Sequence, residues 1–328
     1  MKHSVWAICT LGLSLIGTPG AWGQDCGPLT LLHIIRMAPF GNTDVMVVPV
    51  TINGVAKGMI FDTGAAETQI ARTTAAELQL PTRHWRTESR DVNGNVSYDG
   101  VLIQSLTFGN AKHENLALRI WPDPDFGKGA PLVAGVISRD LLFDYDVDVD
   151  FGTHTLNLFS KNHCFGKIDY WHPPAIAAMR VEIRDQHIHI PVMLDGQSFD
   201  AVIDTGSQHS TISLPVAQRV FGLSPQSPDV APLGAVNNDP ALTGFVHKFG
   251  SLSFGGVKVL TPDMMILPDL THPYRSQQTG NRAFQRKSDM ALPEVIIGMD
   301  VLRHLHIYLA PDEQNVYISL ASFGAEKP

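Results

Sequence analysis

An internal repeat constrains the fold of this chain more than any other sequence feature. Residues 48–65 read VPVTINGVAKGMIFDTGA, and residues 190–207 read IPVMLDGQSFDAVIDTGS, without a gap at an offset of 142 residues. A second matched pair, residues 136–142 and 296–302, has an offset of 160, so the second half has gained 18 residues between its blocks. Fixed-offset similarity of this kind predicts two copies of one lobe joined in tandem.

The composition is that of a globular protein rich in β-structure. The chain has 328 residues, of which 44% are hydrophobic and 17% are charged. This length suits two domains, each with its own core. The many Gly, Pro, Val, Ile and Thr residues favour strands over helices. The net charge is −8 and no Lys/Arg-rich run occurs, so nothing in the charge pattern supports a nucleic-acid partner.

Turn and helix signals recur at equivalent places in the two halves. Asn53-Gly54 and Asp195-Gly196 predict tight hairpin turns. After each Asp-Thr-Gly sequence, the pattern predicts a short strand and then a helix, at residues 73–80 in the first half and 215–223 in the second.

The two halves are separated by a segment without periodic hydrophobicity. Residues 160–179 contain His172-Pro173-Pro174 and are predicted to be an interlobe linker. The first lobe is accordingly expected at residues 24–159 and the second at residues 180–328.

Residues 1–23 have the pattern of a secretory signal peptide. Lys2 precedes a short apolar run at residues 6–16, and small residues surround an expected cleavage point after Gly23. The run is too short to cross a bilayer, and no later segment is apolar enough to do so. We expect a mature chain without a membrane span, exported to the periplasm or out of the cell.

Two cysteines remain once the signal peptide is removed. They are Cys26 and Cys164, and in an oxidising compartment they are expected to form one disulfide. The alternative is a pair of free buried thiols. A disulfide would tie the mature N-terminus to the middle of the chain.

The two Asp-Thr-Gly sequences, each behind an apolar strand, give the chain a family resemblance. It resembles the aspartic peptidases, in which two lobes each supply one such loop to a shared cleft. Residues 296–298 (IIG) match the family's second hallmark, and the short helix after each loop is more similar to the retroviral lobe than to the pepsin lobe. The resemblance implies a mainly β, bilobal acid-protease-type fold with two related, β-barrel-like lobes, as a single-chain tandem of retropepsin-like lobes.

The resemblance also implies the chemistry. Asp62 and Asp204 would form a catalytic dyad that shares one proton, because two adjacent carboxylates do not both ionise readily. One carboxylate would act as general base on a water molecule and the other as general acid. No cofactor or metal is implied. The substrate would be a peptide or protein, and a monomer would suffice because one chain holds both half-sites.

Further residues are implied to support the dyad. They are Thr63, Gly64, Ala65, Thr205, Gly206 and Ser207. The threonine hydroxyls would brace the loops across the lobe interface, and the glycines would leave space beside the carboxylates.

The two halves differ at two positions near the predicted dyad. Ser207 stands where the first half has Ala65, and its hydroxyl is expected to donate to Asp204 and make it the more acidic partner. The alternative is that Ser207 only caps the turn. Ser138 stands where the second half has Gly298, which makes the packing under the first loop less certain.

A hairpin that covers the cleft is expected at residues 91–98. Asn93-Gly94 would form its tip and Tyr98 would contact substrate, the alternative being an ordinary exposed hairpin. A less regular counterpart lies around Gly234. The additional residues of the second half fall near 269–293, which we interpret as a surface loop, with an overhang of the cleft as the alternative.

Other function classes have weaker support. His187 with His189 and His304 with His306 would each share a strand face, but zinc-site spacing is absent, so we expect partly exposed strand residues and no metal. The main alternative function is a catalytically inactive, peptidase-like secreted module that binds peptides. The presence of both aspartates argues against it.

Overall fold

The computed structural model describes residues 26–91, 95–123, 133–168, 170, 177–184, 186–236, 239–268 and 293–322. The predicted signal peptide, the Asn93-Gly94 tip and residues 269–292 of the predicted surface loop lie outside this range. The protein is mainly β and bilobal, which confirms the expected fold class.

The elements of the first half are numbered in chain order: β1 (Leu31–Arg36), β2 (Ala38–Pro39), β3 (Met46–Ile52), β4 (Val55–Phe61), β5 (Gln69–Ile70), α1 (Arg72–Glu77), β6 (Thr82–Arg90), β7 (Val96–Phe108), β8 (Ala111–Ile120), β9 (Gly135–Ile137), α2 (Arg139–Leu142), β10 (Asp146–Asp150) and β11 (Thr155–Phe159).

The second half contains β12 (Ala177–Arg180), β13 (Glu182–Arg184), β14 (His187–Leu194), β15 (Gln197–Ile203), β16 (Thr211–Ser213), α3 (Leu214–Phe221), β17 (Val230–Val236), β18 (Asp239–Lys248), β19 (Ser251–Phe254), β20 (Val257–Leu260), β21 (Asp263–Leu267), β22 (Val295–Ile297), α4 (Met299–Leu302), β23 (Leu305–Ala310) and β24 (Asn315–Leu320).

The first lobe is a closed sheet. Its strand order is β2-β3-β4-β9-β5-β8-β7-β6, and an additional pairing of β3 with β7 joins six of these strands into a barrel. Ile52, Phe61 and Phe108 are among the large side chains fully buried inside it. Alternating burial along β3 and β7 is the pattern expected of strands with one face on a core.

The second lobe repeats this arrangement with two strands interrupted. The long strand β7 corresponds to β18 and β19, and β8 corresponds to β20 and β21. The closing pair recurs, because Met193 of β14 faces Ser253 of β19 just as Thr51 of β3 faces Thr107 of β7. Thr51 and Met193 are separated by the repeat offset, so the sequence repeat is a structural repeat.

A third sheet joins the lobes. Its order is β1-β11-β10-β23-β24-β12, with three strands from each half and β10 antiparallel to β23 at the junction. Across that junction, His306 Nε2 lies 2.6 Å from Asp148 Oδ2, and both residues are buried. Asp146 likewise contacts His163 Nε2 at 2.6 Å and accepts from the Tyr308 hydroxyl at 2.9 Å. These buried carboxylates are tolerated because they are paired.

Three histidine predictions need correction. His189 of β14 was expected to be partly exposed, but it is buried, with Nδ1 2.8 Å from Asp200 Oδ2. His306 was expected to be partly exposed, but its ring is buried against Asp148 at the lobe junction. His304 was expected on a strand, but it lies in the turn between α4 and β23. The sequence pattern could not show the burial of His306, because its partner Asp148 lies 158 residues away in the chain.

The predicted turns and helices are present. Asn53 and Gly54 have φ of 49° and 84°, and Asp195 and Gly196 have φ of 45° and 79°, as a two-residue turn of this type requires. The helices after the Asp-Thr-Gly loops are α1 and α3, with Pro215 in the first turn of α3. Within the described residues, no helix is long and apolar enough to cross a membrane.

A disulfide anchors the start of the segment between the lobes. Cys26 and Cys164 are bonded, with Cα atoms 4.7 Å apart, and the Cys164 N–H donates to the Gly27 carbonyl at 3.1 Å. The last three residues of the predicted linker, 177–179, belong to β12 and pair with β24. The connection therefore ends as a strand of the sheet shared by the lobes.

Candidate functional site

Two aspartates meet where the lobes face each other. Asp62 follows β4 and Asp204 follows β15, and their N–H groups donate to the Ile137 and Ile297 carbonyls, both at 3.0 Å. In each lobe the preceding strand is parallel to the strand that carries this carbonyl. Strands that are buried on both faces need an unbroken run of apolar residues, which explains why such residues precede each aspartate. The carboxyl groups are close enough for the charge of Asp204 to raise the pKa of Asp62.

Backbone N–H groups hold both carboxylates in the same way. In each loop, Oδ1 of the aspartate accepts hydrogen bonds from the backbone N–H groups two and three residues after it in the sequence. The donors are Gly64 at 2.9 Å and Ala65 at 2.8 Å for Asp62, and Gly206 at 2.9 Å and Ser207 at 3.1 Å for Asp204. Charge-assisted bonds of this kind are stronger than neutral ones and orient the carboxylates.

The glycines of both loops lie against the carboxyl group of the opposite lobe. A Cβ built on Gly206 would lie 2.5–2.6 Å from the carboxyl atoms of Asp62. A Cβ on Gly64 would collide with the carboxyl group of Asp204 in the same way. Glycine is therefore required at both positions for the carboxyl groups to approach each other.

The threonines exchange hydrogen bonds across the lobe interface. The Thr63 N–H donates to the Thr205 hydroxyl oxygen at 3.0 Å, and the Thr205 N–H donates to the Thr63 hydroxyl oxygen at 3.1 Å. The Thr63 hydroxyl in turn donates to the Ile203 carbonyl and the Thr205 hydroxyl to the Phe61 carbonyl, both at 2.8 Å. Both threonines are buried, so these four bonds fix the loops to each other.

Sequence analysis missed a second layer of support below the loops. The Thr68 N–H and hydroxyl both donate to Asp140 Oδ1, at 2.9 and 2.6 Å. In the second lobe the Ser210 N–H and hydroxyl donate to the carboxylate of Asp300, at 2.9 and 2.6 Å. The repeat contained this signal, because Thr68 aligns with Ser210 at the first offset and Asp140 with Asp300 at the second.

The serine in place of glycine is accommodated in the first lobe. Ser138 is fully buried, and its hydroxyl donates to the Ala65 carbonyl at 2.6 Å. In the second lobe the carbonyl of Ser207 is bonded instead by the Met299 N–H, at 2.8 Å. The Ser138 hydroxyl thus takes the place of a backbone donor.

The Ser207 hydroxyl was expected to donate to Asp204, but the structure shows a different bond. Its hydroxyl donates to the His209 carbonyl at 2.9 Å, and only its N–H reaches the carboxylate. The alternative prediction, that the serine caps the turn, describes the observed bond. A side-chain rotamer decides between these contacts, and the sequence does not fix it.

The environment separates the acidities of the two carboxyl groups. Burial, followed by the charge of Asp204, raises the pKa of Asp62 to about 8 against the lowering effect of its N–H donors. Burial also raises the pKa of Asp204, but two N–H donors, the charge of His187 and the hydrogen bond with Asp62 oppose that rise. This arrangement favours a proton on Asp62 and an ionised Asp204.

Polar contacts beside the dyad hold the lobes in register. Gln208, four residues after Asp204, accepts from the Asp44 N–H at 2.8 Å and donates to the Asp44 carboxylate at 2.9 Å. Arg303 donates to the same carboxylate at 3.0 Å. On the other side, Arg139 donates to the Gln186 carbonyl at 2.6 Å and to its side-chain oxygen at 3.0 Å. No pattern in the sequence indicated these contacts.

Each lobe has a hairpin at the same end of its strand order. The first hairpin is β6–β7, at the predicted place, and the second hairpin is β17–β18, whose strand register shifts on both sides of Gly234, as the less regular pattern there predicted. Tyr98 of the first hairpin stacks on His84 with ring centroids 5.8 Å apart, and its hydroxyl donates to Glu88 at 3.1 Å. These contacts are internal to the hairpin, so a substrate contact by Tyr98 stays a prediction, as does the role of the undescribed tip.

A family model described as Aspartyl protease matches residues 48–141 and 190–301, one match in each lobe and together more than half of the chain. Comparison with curated proteins finds no match. In the part of the chain that the structure describes, no group of three or more His, Cys, Asp or Glu residues could hold a metal ion.

The difference between Ser138 and Gly298 gives a stability prediction. A Cβ at Gly298 would lie 2.5 and 2.6 Å from the backbone C and O of His209, so Gly298→Ala is expected to destabilise the protein by about 1–3 kcal/mol. Ser138→Ala, which only removes the bond to Ala65, should cost about 1 kcal/mol. Urea unfolding of both variants measures the difference. A Gly298→Ala protein as stable as wild type would contradict the packing described.

The raised pKa of Asp62 gives a second prediction. The folded state holds this proton more tightly than the unfolded state, so the stabilisation is complete below pH about 4 and is lost as the pH rises to about 8. Asp62→Asn, which remains neutral, should be more stable than wild type by about 2–4 kcal/mol at pH 7, with the gain vanishing near pH 4. Denaturant titrations at both pH values test this, with exposed Asp99→Asn as the control. An equal gain at both pH values would refute the assignment.

Proposed function

Since the chain belongs to the aspartyl protease family, we propose that it is an endopeptidase in which Asp62 and Asp204 activate the attacking water. The observation that carries the proposal is the pair of interacting carboxyl groups with separated acidities, each held by two N–H donors. The pair supplies a general base and a general acid together, so the chemistry requires no cofactor.

The acidities suggest which residue takes each role. Ionised Asp204 removes a proton from the water molecule, whose oxygen attacks the carbonyl carbon of the peptide bond. Protonated Asp62 donates its proton to the carbonyl oxygen, which gives a neutral tetrahedral intermediate. Asp204 then returns its proton to the leaving nitrogen, and Asp62 regains a proton from a hydroxyl group as the C–N bond breaks. The products are a carboxylic acid and an amine, and the dyad returns to its starting state.

The rigid loops support this mechanism. General acid–base catalysis needs both groups within hydrogen-bonding reach of the same reacting atoms. The four threonine bonds and the glycines that admit the opposite carboxyl group keep the pair in that geometry before substrate binds. A group placed in advance avoids the entropy loss of ordering it during the reaction.

We propose that the substrate is a peptide or protein bound between the lobes, and that the mature chain is exported. The Cys26–Cys164 disulfide supports export, because such bonds persist in oxidising compartments. The proposed organisation is a signal peptide at 1–23, lobes at 24–159 and 180–328, and a linker between them.

Removing either carboxylate tests the proposed chemistry. Asp62→Asn and Asp204→Asn should each lower kcat for peptide hydrolysis by about 10²–10⁴-fold, because one of the two proton transfers is lost. In wild type, activity should disappear as the pH rises through about 8, where Asp62 loses its proton. Cleavage of a peptide library, read by mass spectrometry, measures both.

Two exposed carboxylates provide matched controls. Asp144→Asn in the first lobe and Asp263→Asn in the second change the same group outside the site and should leave kcat unchanged. Peptide binding without cleavage by wild-type protein would instead favour the alternative function, an inactive peptide-binding module.

Both half-sites lie in one chain, which predicts that activity does not require dimerisation. The specific activity of the purified protein should stay constant on dilution from micromolar to low nanomolar concentration. Initial rates normalised to protein concentration measure this. A collapse on dilution that is reversed by concentrating the protein would contradict a monomeric enzyme.

A further inference from the structure

One buried cation contacts both the Asp62 loop and the first hairpin. Arg119, on β8, is only 8% exposed. Its Nε donates to Glu67 Oε1 at 2.9 Å, and Glu67 lies in the loop five residues after Asp62. Its Nη1 donates to the Thr87 carbonyl at 2.7 Å, and its Nη2 donates to the Thr87 hydroxyl. Thr87 belongs to β6, so a single guanidinium group binds the loop and the hairpin together.

An indole ring adds to this junction. The guanidinium carbon of Arg119 lies 4.6 Å from the ring centroid of Trp85, which is also on β6, and that of Arg83 lies 5.4 Å from it. Contacts of a cation with an indole face are favourable, more so when water is excluded. The edge of Trp85 lies against Gly100 of β7, where a Cβ would collide with Nε1. Gly100 is the register partner of Arg119, so the ring packs across all three strands.

The described residues of the second lobe contain no equivalent of this junction. Arg119 faces Gln69 as Met265 faces Thr211, which makes Met265 the counterpart of Arg119. At the repeat offset of 142, the counterpart of Glu67 is His209. The ion pair is therefore replaced by a thioether and an imidazole.

The hairpin contacts of the cluster also have no counterpart among the residues described in the second lobe. Gly100 faces Arg119 as Val246 faces Met265, so a β-branched residue occupies the place of the glycine. Arg83 faces Gly100 as Ala231 faces Val246, so the second cation is missing as well. The cluster thus belongs to one lobe and is not required by the barrel itself.

We propose that Arg119 is a positioning residue, which holds the strands of the first hairpin beside the Asp62 loop so that this side of the cleft is formed before a peptide binds. The proposal rests on the proposed peptidase function. A binding site that is already ordered does not lose side-chain and backbone entropy when the ligand arrives, which strengthens binding without new contacts. The planar guanidinium suits this role, because its donors point to two partners at once while its face covers the indole.

The principal test is Arg119→Met, which introduces the residue found at the counterpart position Met265. KM for peptide cleavage should rise about tenfold or more, because the peptide must then order the hairpin, while kcat changes by less than about twofold. Arg119→Lys should give an intermediate KM. The lysine ammonium group keeps the positive charge, but it has neither the forked donors of a guanidinium nor its flat face for the indole. Arg219→Met is the matched control, since Arg219 pairs with Glu294 on the surface of the other lobe.

Amide hydrogen exchange provides a readout that does not depend on turnover. In Arg119→Met, amides of β6 and of the start of β7 should exchange faster, while the second hairpin is unchanged. If wild-type protein cleaves no peptide, the proposed function fails, but the exchange rates still decide the role of Arg119. If Arg119→Met does not fold, Arg119→Lys and Glu67→Gln replace it, with faster exchange in the first hairpin again expected.

Two results would overturn the proposal. One is that the Arg119 variants exchange the amide hydrogens of the first hairpin at the wild-type rate and also have the wild-type KM. The other is a fall in kcat at constant KM that parallels the loss of folded protein, which would show that Arg119 only stabilises the lobe.

Discussion

The exchange of threonine hydroxyl groups across the lobe interface is the interaction on which the site depends. Thr63 and Thr205 each accept the N–H of the other, and each donates to a carbonyl at the end of the opposite strand. Because the four bonds are buried and reciprocal, moving one loop breaks bonds at both. The carboxyl groups of Asp62 and Asp204 are therefore held together, although charge repulsion and burial disfavour two ionised groups there. A proton shared between them would remove most of that repulsion.

The two lobes have kept this geometry while their surroundings have diverged. Ser138 replaces a backbone donor with a hydroxyl, whereas Gly298 leaves space that the His209 backbone fills. Arg119 joins a hairpin to one dyad loop, and Met265 stands at its counterpart. A dyad whose members act as acid and as base has no need for identical lobes. The differences lie around the loops and leave the N–H donors of the two carboxylates equivalent.

Most features that the repeat determines were predictable from the sequence. The fixed offset between the two sequence repeats located both aspartates, both threonines, the hairpin turns and the helices. Duplicated local patterns fold into duplicated local structure. Contacts that depend on a rotamer or on strand register were not predictable. The Ser207 hydroxyl bonds its own loop, and His306 is buried on an aspartate 158 residues away. No sequence pattern singles out Arg119, because only the pairing of β5 to β8 brings Glu67, Thr87 and Trp85 around it.

The two carboxyl groups are expected to titrate as a pair with one strongly retained proton. NMR titration of the aspartate side-chain carboxyl carbons measures this, with Asp62→Asn and Asp204→Asn proteins to assign the two signals. One signal is expected with a pKa near 8, and that pKa should fall part of the way towards the ordinary aspartate range when the other carboxylate is removed, because burial remains. Two signals that both titrate near pH 4, independently of each other, would contradict it.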